Sequence, residues 1–455
     1  MSAANAAENK MGVMPVNKLL LSMSLPMIAS MFVQALYNIV DSVFVARVSE
    51  DALTAVSMAF PAQMLVVSVA GGTGVGMNAL LSRNLGERNF DVANRTGRNG
   101  IFLAAVISAA FALAGVFLAR PFFENQTAVA GIAEDGTAYL RICAICSFGL
   151  VFQMTLERLL QSTGKTFYSM ITQITGALTN LVLDPIMIFG LFGFPRLGVA
   201  GAAAATVVGQ CAASALAIYY NVTSNRELNL NMKGFRPDSR VIARIYSVGA
   251  PSILMMSLGS LTVFGLNKIL IRFTTAAVAV CGIYFKLQSF VFMPIIGLNN
   301  GMVPILAYNF GARKPERIKR TILLSVCYAT GIMLTGLAVF WLFTPELLGF
   351  FKASETMLAI GVPALRRISL SFLFAGFCIC TLSVCQALGH GFFTLVVSVV
   401  RQIAALLPAA YVLSLLWGLN AAWWSFFIGE IFSLTLCVYY MRRLYLTEIK
   451  PLSLE

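Results

Sequence analysis

Charged side chains are scarce in this sequence. Asp, Glu, Lys and Arg make up 11% of the 455 residues, hydrophobic residues make up 58%, and the mean hydropathy is +0.82. Because a soluble globular domain usually carries about 25% charged residues, this shortage excludes an ordinary soluble protein. We therefore expect a polytopic membrane protein.

A sustained alternation of apolar and polar residues is also missing, which excludes the strands of a transmembrane barrel. The sequence instead contains long apolar stretches, most of them at or above the roughly 20 residues with which a helix crosses a bilayer. These stretches predict an all-α fold with twelve transmembrane helices. We number them spans 1 to 12, near residues 19–48, 53–82, 97–119, 139–161, 167–192, 197–220, 242–272, 278–307, 321–343, 361–388, 392–417 and 419–441.

Groups that could catalyse a reaction or hold a metal ion are few. The chain has one histidine, and the cysteine clusters at 143–146 and 378–385 lie in apolar stretches with no histidine nearby, so we interpret these cysteines as small hydrophobic residues. The stretch "GGTGVGMN" (71–78) lacks the Lys-Ser/Thr ending of a phosphate-binding loop, and we interpret Gly72 and Gly76 as a helix-packing face. Without a nucleophile–base pair or a metal cluster, we expect neither an enzyme nor a cofactor.

Positive charge is scarce in one set of loops. The loops after even-numbered spans include "RNLGERNFDVANRTGR", "TSNRELNLNMKGFRPDSRVIAR" and "NFGARKPERIKR", whereas "ENQTAVAGIAEDG" on the other side has no Lys or Arg. Since Lys and Arg concentrate in cytoplasmic loops, both termini are predicted to be cytoplasmic. The same asymmetry accounts for the net charge of +13, and no basic and aromatic surface suggests a nucleic-acid partner.

The sequence repeats itself at an offset of 225 residues. This offset aligns "LSRNLGERN" (81–89) with "LAYNFGARK" (306–314), and it pairs Pro26 with Pro251, Gln63 with Gln288, Gly72 with Gly297 and Gly76 with Gly301. The repeat predicts two pseudo-symmetric six-helix bundles, an arrangement typical of transporters. The predicted domains are a cytoplasmic tail at 1–18, a first bundle at 19–221, a cytoplasmic linker at 222–241, a second bundle at 242–443 and a cytoplasmic tail at 444–455.

Two acids interrupt the apolar spans of the first half. Asp41 lies in "ALYNIVDSVFVARV" and Asp184 in "NLVLDPIMIFG". A carboxylate in a spanning helix costs about 2.5 to 3.5 kcal/mol, so such an acid is usually functional. At 1.5 Å per residue both acids lie roughly 10 to 12 Å below the outer ends of their spans and can share one depth. The alternative is that hydrogen bonds or an Arg hold each acid for structural reasons.

These stretches, with "GVAGAAAATVVGQ" (198–210) and the repeated "RNLGERN" and "YNFGARK" loops, resemble the multidrug and toxic compound extrusion (MATE) family. The spacing is most similar to the bacterial and archaeal branch that includes DNA-damage-inducible (DinF-like) and staphylococcal (MepA-like) drug exporters. The resemblance implies a secondary active antiporter in the plasma membrane of a prokaryote. Such a protein exports organic cations by alternating access in exchange for H⁺ or Na⁺, and we expect it to act as a monomer.

The resemblance also assigns roles to residues. Asp41 and Asp184 match the ion-coupling acids of the family, with a site for H⁺ or Na⁺. Asn180 and Thr206 match polar groups around them. Positions that match the substrate cavity less closely are Gln34, Tyr37 and Tyr139.

Three further residues are candidates by position in their spans. Glu157 is either an interfacial acid or a substrate contact, and Glu430 is a candidate second site. Pro26 removes a backbone hydrogen bond in span 1, so it is a candidate hinge, with a static kink as the alternative. The second half has no acid in span 7 or span 10, which favours coupling through the first half alone.

Two other functions fit the same superfamily. A lipid-linked sugar flippase would typically have fourteen spans and a basic cavity, in contrast to the twelve spans and acids predicted here. A small-metabolite exporter would share the fold and the span count. The sequence leaves open the substrate, the choice between H⁺ and Na⁺, their stoichiometry and the physiological role.

Overall fold

The computed structural model describes residues 9–351 and 353–453. In this part of the chain every regular element is a helix and no strand occurs, so the predicted all-α fold is confirmed. Residues 1–8 of the predicted N-terminal tail and residues 454 and 455 of the predicted C-terminal tail lie outside the described residues. Within the predicted tails, a short helix covers Lys10–Val13, and helical turns cover Tyr445–Ile449 and Pro451–Ser453.

Twelve membrane spans account for most of the described residues. Ten single helices are long and apolar enough to cross a membrane, and the number reaches the predicted twelve when each of two bent helix pairs is counted as one span. The spans of the first half are Val16–Ala46, Glu50–Gly86, Phe90–Glu124, the pair Ala130–Ile145 and Phe148–Ser162, Thr166–Phe189, and Val199–Thr223. Those of the second half are Ser239–Leu270, Thr275–Gly311, Pro315–Leu342, the pair Glu355–Ser369 and Phe372–Ala387, Gly391–Trp417, and Leu419–Ser453.

The duplication in the sequence is also present in the backbone. The bent pairs are span 4 and span 10, with bends of 43° and 50°. Three turns take a positive φ at positions 225 residues apart: Arg88 and Arg313 (56° and 52°), Gly164 and Gly389 (83° and 93°), Gly193 and Gly418 (84° and 76°). A non-glycine residue rarely adopts this conformation, so its recurrence at Arg88 and Arg313 reflects a shared turn geometry. The two pseudo-symmetric halves are thus confirmed.

Contacts divide the chain into two compact units. The first unit comprises residues 29–253, and the second comprises the residues up to 28 together with those from 254 on. The divisions fall inside spans 1 and 7, two residues after Pro26 and two after Pro251. The bundle and linker boundaries predicted at 221 and 242 remain a prediction.

A close helix contact in the first unit depends on Gly72 and Gly76. A Cβ on Gly72 would lie 2.8 Å from the backbone nitrogen of Ile253, and one on Gly76 would overlap the carbonyl oxygen of Ile245. Span 2 therefore approaches the start of span 7 backbone to backbone, as small residues permit in membrane helices. The packing-face interpretation is confirmed.

Substitution Gly76→Ala is expected to destabilise the protein. The added methyl group meets a backbone carbonyl that cannot rotate away, and overpacking of this kind costs about 1 to 3 kcal/mol. We expect a lower melting temperature for the detergent-purified variant. The matched control is Gly331→Ala, where the added Cβ has nothing within 4 Å. Equal melting temperatures for both variants would contradict the close contact.

Candidate functional site

A cavity of about 560 Å³ lies within the first unit. Spans 1, 2, 4 and 6 supply its walls, and spans 1 and 4 contribute the predicted residues Gln34, Tyr37, Asp41 and Tyr139. Its apolar side is formed by residues such as Leu53, Val56, Met64, Val66 and Leu150. This volume falls in the range of about 300 to 1,000 Å³ that is typical of pockets for drug-sized molecules.

Four of the predicted residues come together at the side of this cavity. Asn180 Nδ2 donates to Asp184 Oδ1 over 3.3 Å and to Thr206 Oγ1 over 3.2 Å. The carboxyl groups of Asp41 and Asp184 lie close enough to interact electrostatically. Asp184 is fully buried, whereas Asp41 and Thr206 also line the cavity. Spans 1, 5 and 6 thus combine their polar groups into one cluster, which we call the acid cluster (Asp41, Asn180, Asp184 and Thr206).

Small residues allow the acid cluster to form. A Cβ on Gly209 would lie 2.7 Å from the carbonyl oxygen of Gly176 and 3.2 Å from Asn180 Cβ. Spans 5 and 6 are therefore in backbone contact beside the cluster, which brings Thr206 within hydrogen-bonding distance of Asn180. The run "GAAAAT" (201–206) makes the neighbouring turns of span 6 similarly small.

Three oxygens of the acid cluster are buried and accept no hydrogen bond from the described residues. They are Asp41 Oδ1, Asn180 Oδ1 and Asp184 Oδ2. A buried oxygen without a donor is costly. Oxygens of this kind are ligands for a hard cation such as Na⁺, and a proton on one carboxyl group would supply a donor to the other. The cluster can therefore satisfy itself by taking up a cation or a proton.

Several cavity residues were missing from the prediction. Gln63 Nε2 donates to the Tyr139 hydroxyl over 3.1 Å and contacts Cys143 Sγ over 3.7 Å. Asn38, Ser57 and Gln210 also line the cavity. The sequence indicates each of these residues only as a polar residue in an apolar span. Gln63 is also repeated as Gln288.

Glu157 does not line this cavity. It is buried and accepts hydrogen bonds from Gln153 Nε2 (3.0 Å), Thr172 Oγ1 (3.1 Å) and Gln173 Nε2 (2.8 Å). Two of these donors belong to span 5. Glu157 thus joins spans 4 and 5.

Glu157→Gln is expected to lower stability without changing the response of transport to ions. The amide retains the shape, but it replaces one acceptor oxygen with a donor and removes the charge from three hydrogen bonds, each worth about 1.5 to 3 kcal/mol. Thermal melting and ion-dependent transport would be measured beside Glu134→Gln, a control at an exposed acid. Loss of transport with unchanged melting would assign Glu157 a role in transport rather than in stability.

The remaining two candidates lie in the second unit, outside the cavity. Glu430 is buried, and its Oε2 lies 3.8 Å from Arg401 Nη1, while Oε1 accepts no hydrogen bond from the described residues. Pro26 lies within span 1, which is helical on both sides of it. Its role as a hinge remains a prediction.

Comparison with known proteins places this architecture in a family. The MatE family model matches residues 26–186 and 251–412, which are equivalent parts of the two halves. The multidrug export protein MepA of Staphylococcus aureus (strain NCTC 8325 / PS 47) is 26% identical over 425 residues, which cover 91% of each chain. MepA of Staphylococcus haemolyticus (strain JCSC1435) is 27% identical over 438 residues, 93% of this chain and 91% of that one.

Solved structures show the same fold. An outward-facing multidrug resistance MATE family transporter of the MOP superfamily superposes with a TM-score of 0.91 at 24% identity and 99% coverage of both chains. A MOP superfamily transporter from Pyrococcus furiosus superposes with a TM-score of 0.90 at 24% identity, covering 98% of this chain and 99% of that one. Since the family model matches most of both halves, the chain belongs to the MatE family and is a membrane transporter rather than an enzyme.

Proposed function

We propose that this transporter is a secondary active antiporter that exports organic cations, drugs among them, in exchange for H⁺ or Na⁺. The observation that carries the proposal is the cavity of the first unit. Among the described residues that line it, Asp41 is charged and none is Lys or Arg. A cavity with one carboxylate favours a cationic substrate. Relatives of this chain are named multidrug export proteins, which supports export as the direction of transport.

The walls of the cavity suit an organic cation rather than a bare metal ion. The rings of Tyr37, Phe60 and Tyr139 lie in its lining together with aliphatic side chains. An aromatic face attracts a cation by about 0.5 to 2 kcal/mol, and the apolar wall takes up the hydrocarbon part of the substrate. These contacts tolerate different shapes, as export of several drugs requires.

Coupling follows from the acid cluster. The two neighbouring carboxylates repel each other when both are ionised, so uptake of H⁺ or Na⁺ relieves the repulsion. The ion also neutralises Asp41 and weakens its attraction for a cationic substrate. An ion entering from outside would therefore release the substrate there. The ion-bound and the substrate-bound states thus exclude each other. A transporter that alternates its access to the two sides of the membrane between these states is an antiporter.

The membrane setting completes the proposal. We place the protein in the plasma membrane of a prokaryote as a monomer without a cofactor, with both termini in the cytoplasm. The density of Lys and Arg in loops after even-numbered spans supports this orientation.

Proteoliposomes separate the alternatives. A fluorescent organic cation is added under a pH gradient or a Na⁺ gradient, each imposed separately. We expect export under one of the two gradients, and the ion of that gradient is then the coupling ion. Movement of the cation under neither gradient contradicts the proposal, and a metabolite exporter or a lipid-linked sugar flippase would then have to be tested with its own substrate.

A further inference from the structure

The polypeptide between the two halves binds along the polar end of span 3. The backbone nitrogen of Asn229 donates to Asn94 Oδ1 over 2.7 Å. That of Asp238 donates to Asn99 Oδ1 over 3.0 Å. The ring of Phe235 lies 5.9 Å from that of Phe102. This stretch is therefore fixed against the helix at three points within the first unit.

A small pocket of about 200 Å³ remains between span 3 and this stretch. Its lining residues are Arg95, Arg98, Asn99, Gly234, Phe235, Arg236 and Asp238. Three guanidinium groups and one carboxylate leave an excess of two positive charges. The volume is below the range of about 300 to 1,000 Å³ typical of drug-sized ligands, so the pocket fits a small anionic group.

The single acid does not neutralise the arginines. Asp238 Oδ1 accepts from the backbone nitrogens of Arg240 (3.0 Å) and Val241 (3.4 Å) and caps span 7. Its Oδ2 lies 3.9 Å from Arg95 Nη1, a loose pair. Arg98 Nε is buried and has no hydrogen-bond partner among the described residues. A buried guanidinium donor without an acceptor is costly, and an anion in the pocket that Arg98 lines would offset the charge of this guanidinium group.

The pocket lies where lipid headgroups are expected. Span 3 has 35 residues and is about 52 Å long, whereas the hydrocarbon core is about 30 Å thick. In the described part of this helix, the exposed large apolar side chains begin at Val106, two turns beyond Arg98. Its first turns therefore extend into the polar layer of the membrane.

We propose that this pocket binds a phosphate-bearing anion, either the headgroup of an anionic phospholipid or free phosphate. Planar guanidinium groups bind phosphate oxygens in pairs, and the pocket is lined by Arg95 and Arg98 from span 3 and by Arg236 from the segment between the halves. Basic pockets at membrane depth commonly bind anionic headgroups. The bound anion joins span 3 to the segment between the halves.

The test compares three full-length proteins: the wild type, the double variant Arg98→Gln with Arg236→Gln, and the control Arg226→Gln. Arg226 is exposed on the same segment but does not line the pocket. Native mass spectrometry counts retained phosphatidylglycerol against phosphatidylcholine, and thermal melting reports binding of inorganic phosphate. The double variant should bind the anion at least about tenfold less, because the loss of even one hydrogen bond to a charged group has this effect and two guanidinium groups are removed.

The two probes distinguish the sources. Selective loss of phosphatidylglycerol from the double variant assigns a lipid headgroup. Loss of the phosphate-induced melting shift alone assigns free phosphate. Arg236→Gln alone, at an exposed residue, replaces the double variant if that protein does not fold. Equal behaviour of the variants and the wild type with both probes overturns the proposal.

Discussion

Asp184→Asn is expected to abolish ion-coupled export while the protein remains folded. Asp184 has no exposed surface, and its carboxyl group interacts with that of Asp41. The amide has nearly the same shape and retains an oxygen that can accept from Asn180. It cannot take up or release a proton, and it removes one of the two charges that attract Na⁺. Transport of a fluorescent cation in proteoliposomes should therefore fall to the level of protein-free vesicles.

A charge-matched control separates this effect from general damage. Asp135→Asn makes the same change at an exposed acid of span 4, outside the cavity. Both variants should insert and melt within a few degrees of the wild type, and only Asp184→Asn should lose transport. Wild-type export by a well-folded Asp184→Asn protein would remove Asp184 from the coupling mechanism.

The positions of the spans could be predicted because apolar length is a direct physical requirement of the bilayer. The ends of the helices could not. Span 2 was predicted at 53–82, yet the helix runs over Glu50–Gly86. At its start the Ser49 side chain accepts from the backbone nitrogen of Ala52, and near its end Asn84 Nδ2 donates to the carbonyl oxygen of Leu80. Polar side chains at both ends thus make hydrogen bonds that hydropathy does not register, so apolar length alone does not locate the ends of the helix.

The acid cluster could be predicted in part for a similar reason. A carboxylate in an apolar span is costly enough to draw attention to Asp41 and Asp184 from sequence alone. Contacts between side chains of different spans leave no comparable feature in the sequence. The hydrogen bond from Gln63 to Tyr139 joins residues 76 positions apart. Likewise, two of the three donors to Glu157 come from another span, so its distance from the cavity could be learned only from the structure.

Asp41→Asn should remove the dependence of substrate binding on the coupling ion. Asp41 lines the cavity and interacts with Asp184, so it is placed to interact with both the substrate and the ion. In the wild type, protonation removes the negative charge that attracts an organic cation, so affinity should fall as the pH drops. If Na⁺ is the coupling ion, affinity should fall as Na⁺ rises. Strict competition with one proton weakens binding by about tenfold per pH unit once Asp41 is protonated.

The structural alternative makes a different prediction for the same variant. If hydrogen bonds merely hold Asp41 in place, its loss should lower the melting temperature, and the folded fraction should bind the cation with unchanged pH and Na⁺ dependence. Asp41 Oδ1 accepts no hydrogen bond from the described residues, which favours the coupling role. Titration of one fluorescent cation into the wild type, Asp41→Asn and Asp135→Asn, with melting as the folding control, separates the two. A flat response to both ions in Asp41→Asn alone would assign to this carboxylate the competition on which antiport depends.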